Sequence, residues 1–185
     1  MTGRELYDSV LALGFARSLD DWEEAFLPMA NLALRTVTNL FPPLGCARVT
    51  VRPEGYSARL DGGCLVPRFR RYARTPLLLD GVPLREGRDY HRSGGALLVE
   101  PAFEGREVTL RAECNARRLT ADGMEEELDC PEEACHLLPF LLASLLWARE
   151  DEALSADYYA RYRTAAGELL ATPRGFSASY RVEEV

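Results

Sequence analysis

Apolar residues over the first forty positions recur at intervals of three and four. Leu6, Tyr7, Val10, Leu11 and Leu13 share one helical face. Thr2 stands three residues before Glu5, the spacing of a capping box in which hydroxyl and carboxylate each satisfy a backbone N–H at a helix start. Gly14 is a natural stop. A longer stripe follows through Trp22, Phe26, Met29, Ala30, Ala33, Val37 and Leu40, with a cap and acidic first turn at residues 18–21 and an end at Pro42 and Pro43. Pro28 lies inside this stripe. It removes one hydrogen bond and costs about 3 kcal/mol in a regular helix, which predicts a kink or a break there.

From residue 45 to about residue 120 the period changes to two. Ala47, Val49 and Val51 alternate with Arg48, Thr50 and Arg52, and Val108, Leu110, Ala112 and Cys114 alternate with Thr109, Arg111 and Glu113, the mark of half-buried strands. Further strands are predicted at 56–60, 64–72, 77–79 and 96–99. They are separated by Asp61-Gly62-Gly63, Asp80-Gly81, Ser93-Gly94-Gly95 and Glu104-Gly105, all turn chemistry. Short strands with such frequent turns predict a small antiparallel β-sandwich or barrel.

An acidic linker at 121–129 leads to a third helix, with Asp129 or Cys130 as cap, Pro131 in the first turn, and Glu132 and Glu133 favouring the N-terminal dipole. Its centre, Leu137 to Trp147, is apolar nearly all round, which requires cover from other helices. After an acidic turn, Tyr158, Tyr159, Tyr162, Ala166, Leu169 and Leu170 give a fourth helix ending near Pro173. The expected fold is α+β: a helical bundle built from both chain ends, 1–44 and 121–172, with an inserted β domain at 45–120 and an extended C-terminal tail at 173–185. In the tail, Phe176, Ala178, Tyr180 and Val182 alternate with Ser177, Ser179, Arg181 and Glu183. Burying Phe176 and Tyr180 is worth about 1.5–3 kcal/mol each, whereas ordering a strand costs about 1–2 kcal/mol per residue. The tail therefore reads as a partner-binding strand whose contacts are Phe176, Tyr180 and Val182. The alternative is a tail folded back on its own sandwich.

The chain has 185 residues and a mass of 20.7 kDa, enough for one domain, or one with a modest insertion, to bury a core without staples. A net charge of -7 and a pI near 5.0 argue against a free-standing nucleic-acid binder. All 22 basic residues are arginine, and isoleucine and glutamine are absent; nothing functional follows from that bias. Five cysteines, an odd number, follow an N-terminus without a signal-peptide pattern, so reduced thiols in a cytoplasmic protein are expected. The apolar run at 137–147 is shorter than the roughly 20 residues a bilayer span needs, and no membrane span is expected.

Cys130-x4-Cys135-His136 is the most metal-like cluster, but it lacks a second Cys/His pair and overlies a helix start, so core thiols are expected and metal is not. Of the two histidines, His91 lies in Asp89-Tyr90-His91-Arg92-Ser93, yet triads are assembled from distant segments rather than from neighbours. The carboxylates fall in caps and solvated runs. No nucleotide-binding or hydrolase motif occurs. The expectation is no catalytic residue and no cofactor. The stretch from Arg68 to Arg74 interleaves arginines with Phe69 and Tyr72, a composition that single-stranded nucleic acid uses. On a strand, however, those arginines point to both faces and find acidic partners in the same chain or a neighbouring subunit.

Leu6-Tyr7-Asp8-Ser9-Val10, Trp22-Glu23-Glu24-Ala25-Phe26 leading into Asn31-Leu32-Ala33-Leu34, the run from Leu137 to Trp147 and Tyr158-Tyr159-Ala160-Arg161-Tyr162 together resemble the head–tail adaptor, or connector, proteins that sit beneath the portal of tailed bacteriophages. The resemblance covers the helical ends, about half the chain. It implies a non-enzymatic virion protein assembled in the host bacterial cytoplasm, a homo-oligomeric ring, commonly twelve-fold, that contacts the portal and downstream neck or tail proteins. DNA would pass through its lumen without specific binding. The alternative is a β-sandwich that binds a carbohydrate or host receptor through loop aromatics, mainly Tyr90 and Phe103, and is attached through its helices.

Overall fold

The computed structural model describes residues 1–14, 23–52, 57–171 and 181–182. They form a mixed α+β chain in two compact units, one from Met1–Pro43 and the chain beyond residue 115, the other from Leu44–Asn115 and a short C-terminal strand.

In the first unit, α1 (Gly3–Ala12) opens with both capping-box bonds: Glu5 N–H donates to Thr2 Oγ1 at 3.1 Å and Thr2 N–H donates to Glu5 Oε2 at 2.8 Å. The chain leaves the helix at Leu13 and turns at Gly14, whose φ of 112° suits glycine. The second helix, α2 (Glu23–Leu40), runs through Pro28 without the expected break. Pro28 is exposed and lies near the helix start, where the carbonyl it orphans stays within reach of water. The cap expected at 18–21 lies outside the described residues.

The single third helix expected after residue 130 is two elements, α4 (Glu132–Cys135) and α5 (Leu138–Trp147), numbered after a one-turn helix, α3 (Gly62–Leu65), in the other unit. Pro139 explains the interruption. It has no N–H for the Cys135 carbonyl, and its ring clashes with that carbonyl in a continuous helix. In the second position of α5 it is tolerated. The last helix, α6 (Glu152–Ala171), is capped by Asp151, whose Oδ1 accepts from Leu154 N–H at 2.9 Å.

One buried cluster joins Leu6 and Val10 of α1, Phe26, Ala33 and Val37 of α2, Leu138, Leu142 and Leu146 of α5, and Tyr158, Tyr162 and Ala166 of α6. Residues 116–131 form a strap across the start of α1. Arg4 N–H donates to Met124 O at 2.8 Å, Leu128 N–H donates to Met1 O at 2.9 Å, and Thr2 bridges Glu127.

The second unit holds β1 (Leu44–Thr50), β2 (Ala58–Leu60), β3 (Phe69–Leu79), β4 (Val82–Pro83), β5 (Tyr90–Ser93), β6 (Ala96–Val99), β7 (Glu107–Cys114) and β8 (Arg181–Val182). One sheet runs β4-β3-β7-β1-β8 and the other β2-β6-β5. All pairings are antiparallel except β1 with β8. Neither sheet closes, so the barrel form is excluded. Along β7 the alternation is complete: Val108, Leu110, Ala112 and Cys114 are buried, the residues between them less so. They join Ala47, Val51, Leu77, Leu97 and Val99 in one core drawn from both sheets.

Two strand expectations change. Cys64 and Leu65, expected to begin the 64–72 strand, instead continue the turn as the helical turn α3, because Asp61 caps it, its Oδ1 accepting from Gly63 N–H at 3.0 Å. Residues 77–79 end the same strand that starts at Phe69, with a register shift between Tyr72 and Leu77, where Pro76 cannot donate to the ladder. The turns at Asp80-Gly81 (φ 51° and 81°) and Gly94-Gly95 (φ 53° and 79°) close hairpins β3–β4 and β5–β6, as two-residue turns with positive φ at both positions do.

Candidate functional site

Structure separates the groups that looked most like an active site. His91 lies on β5, not in a turn, and its Nε2 is 3.2 Å from Glu100 Oε1, with both side chains substantially exposed. Asp89 Oδ2 instead accepts from Arg85 N–H at 2.8 Å, so Asp89 and His91 serve different partners. Among the described residues, no three His, Cys, Asp or Glu side chains are grouped to hold a metal ion, and no helix is long and apolar enough to cross a membrane. Tyr90 is buried at 3% exposure and Phe103 packs against the sheet core. Tyr90 is thus a core residue on a strand, and Phe103 is a partly buried side chain packed against that core.

The arginine-rich stretch is distributed along β3. Arg70 and Arg74 are exposed, and Arg71 Nε meets Glu113 Oε2 on β7 at 2.6 Å. That hydrogen bond and charge pull the Arg71 guanidinium above its ordinary value. Residues 1–43 and 116–176 carry nine arginines against eighteen aspartates and glutamates, and the rest of the chain carries thirteen against eleven. The acidity of the chain therefore belongs to its helical segments. In the strap, Arg117 binds Glu126 at 2.8 Å through its guanidinium and Asp129 Oδ2 at 3.0 Å through its N–H. A cavity of about 230 Å³ beside it is lined by Arg117, Thr120, Glu126 and Asp129, and Arg117 is already engaged with both of these carboxylates.

Of the predicted partner-binding residues, Phe176 and Tyr180 lie outside the described residues. Val182 lies in β8, which pairs in parallel with β1 at Gly45–Arg181 and Cys46–Val182. Along the rest of that edge, Ala47 to Thr50, β1 has no ladder partner among the described residues except β7 on its other side. Gly45 admits no side chain: a Cβ there would stand 2.7 Å from Cys114 Sγ and 2.9 Å from Val66 Cγ1. Burial pushes the Cys46 thiol above its ordinary value, against the charges of Arg111 and Arg48.

Cys130 and Cys135 are brought together by the turn at Pro131. Cys135 Sγ lies 3.7 Å from Cys130 O. His136 is the C-cap of α4. Cys135 is buried and Cys130 packs against the helical core, as expected of core thiols. No protein family's sequence profile matches the chain, and no curated protein matches it.

Proposed function

We propose that this chain is a structural virion protein, a head–tail adaptor that forms a homo-oligomeric ring beneath the portal and lets DNA pass. The observation that carries the reading is the shared core of α1, α2, α5 and α6, because these are the segments on which the resemblance to connector proteins rests. In this reading the helices are a bundle made from both chain ends, and the two sheets are an inserted sandwich. The carboxylate excess of the helical segments suits a lumen wall to which phosphates do not adhere, an effect that screening confines to within about 8 Å of the surface at physiological salt. The C-terminal strand, with Phe176, Tyr180 and Val182, is the contact to a neighbouring copy or to the portal, made by adding to an open sheet edge such as that of β1. The ligand-binding alternative is weaker because Tyr90 is buried in the core and Phe103 packs against it.

Light scattering and negative-stain imaging of the purified chain, alone and with the portal protein of the same genome, test this. Closed rings that co-purify with the portal are expected. A chain that stays monomeric in both conditions overturns the reading.

A further inference from the structure

We propose that neighbouring copies of this chain meet head to tail, the outward face of α2 on one copy packing antiparallel against the outward face of α6 on the next. The inference rests on the ring reading and names the two faces that join its subunits. A contact between two different faces of the same chain is the kind that closes into a ring.

Both faces belong to the helical unit, and neither is spent in its core. α5 packs against both α2 and α6, which leaves each of these two helices a side turned away from the buried cluster. On α2, Ala25, Pro28, Leu32 and Thr36 follow one another at helical spacing, all exposed or half-buried, and Leu32 is 46% exposed. On α6, Tyr158, Tyr162 and Ala166 are buried, and the opposite side carries Ala153, Ala156, Ala160, Thr164 and Gly167, all exposed. A surface helix ordinarily sets charged residues on that side. Glycine weakens a helix interior, and a Cβ at Gly167 would meet nothing within 4 Å, so the packing of its own chain gives no reason for glycine there.

Charge selects the partner and the register. Glu24 and Arg35 lie eleven residues apart on one flank of the α2 face, and Glu152 and Arg163 lie eleven residues apart on the same flank of the α6 face, three turns in each case. All four are exposed, and among the described residues none of them forms an ion pair. Equal flanks meet when two helices run antiparallel, and one register then sets Arg35 across from Glu152 of the next copy and Glu24 across from its Arg163. The same register lays Leu32 over Ala153 and Ala156 and Pro28 beside Ala160. Large apolar side chains therefore meet small ones, and the two helices can approach closely. Asp157 and Arg161, on the other flank of α6, already bind each other at 2.8 Å and bring no unopposed charge to the seam.

Exposed positions test this without touching either core. Leu32→Arg blocks the α2 face and Ala160→Arg blocks the α6 face. Under the conditions in which wild type assembles, each variant alone is expected to remain a single copy by light scattering, with a melt within about two degrees of wild type. An equal mixture of the two retains one intact contact, from Ala160→Arg's α2 to Leu32→Arg's α6, and is expected to stop at a pair. Arg35→Glu is expected to lose rings, and Glu152→Arg added to the same chain to regain them. Folded Leu32→Arg or Ala160→Arg that forms rings as readily as wild type overturns the seam and leaves the adaptor reading standing. So does a mixture of the two that contains single copies only. Wild type that forms no ring, alone or with the portal, overturns the adaptor reading and the seam together.

Discussion

Asn31 shows what a single polar residue does in this fold. It sits on α2 one turn beyond Leu27, and its side-chain N–H groups donate to Leu27 O at 2.8 Å and Leu119 O at 2.9 Å while its Oδ1 accepts from Leu119 N–H at 2.9 Å. The side chain thus pairs with both backbone groups of Leu119, a nearly buried strap residue. Asn31→Leu leaves those groups without partners, and a loss of about 1–3 kcal/mol is expected in a denaturant melt, with faster hydrogen exchange at Leu119. Tyr72 plays a comparable part between the sheets. Its hydroxyl accepts from Gly62 N–H at 2.9 Å and reaches Leu60 O at 3.1 Å and Gly95 O at 3.0 Å, so one phenol ties β3 to α3, β2 and the β5–β6 turn. Burial pushes this phenol up, as it does those of Tyr90 and Tyr162. A phenol that holds its proton more tightly folded than unfolded contributes fully below about pH 10, and that contribution is lost as pH rises through the folded value. Stability should therefore fall above about pH 10, and Tyr72→Phe should lower stability at pH 7 while flattening that alkaline decline, both read from melts across the pH range. Neither role was legible in the sequence. Hydrophobic period marks which face is buried, but not which polar atom on that face meets an unpaired backbone group.

At the scale of elements, legibility followed the strength of the local signal. The capping box at Thr2 and Glu5, the alternation of β7 and the two glycine turns are each set by a few adjacent residues, and they stand where the pattern puts them. The failures came where a short-range cue was outvoted or overlooked. Asp61 made a helical turn that takes in Cys64 and Leu65, expected to begin a strand, two expected strands proved to be one with a register shift near Pro76, and Pro139 divided a helix that apolar content alone made continuous. The divided helix still behaves as its composition requires. Leu141 on α5 is 4% exposed and lies in the cluster that also takes in α1, α2 and α6. An aspartate there has to be buried without a partner or protonated, at a cost of several kcal/mol against a typical domain stability of about 5–15 kcal/mol. Leu141→Asp is accordingly expected to lose its cooperative melt or to melt far below wild type, and a wild-type melt would mean that this face of α5 is not core. Tyr158 adds a second tie inside the same unit, its hydroxyl donating to Leu13 O at the end of α1.

For the whole molecule, the decisive question is what the C-terminal segment serves. Among the described residues β8 pairs with β1 at two positions, Gly45–Arg181 and Cys46–Val182, while β1 pairs with β7 along all seven of its residues. Two ladder positions contribute little against a backbone ordering cost of about 1–2 kcal/mol for each residue fixed. Among the described residues the members of the sheet core run from Ala47 to Cys114. If the tail serves a partner, deleting residues 173–185 is expected to leave the thermal melt within a degree or two of wild type, since among the described residues every member of both buried clusters lies before residue 173. If the alternating segment from Phe176 to Val182 serves a neighbouring copy or the portal, the same deletion abolishes ring formation in light scattering and co-purification with the portal. A truncated chain that melts normally and still assembles would sink the partner-strand role. A melt lowered by many degrees would instead assign the tail to its own sheet, with β8 as the visible end of that pairing. The two readings thus separate on stability and assembly measured in one sample, without knowledge of which neighbour receives the strand.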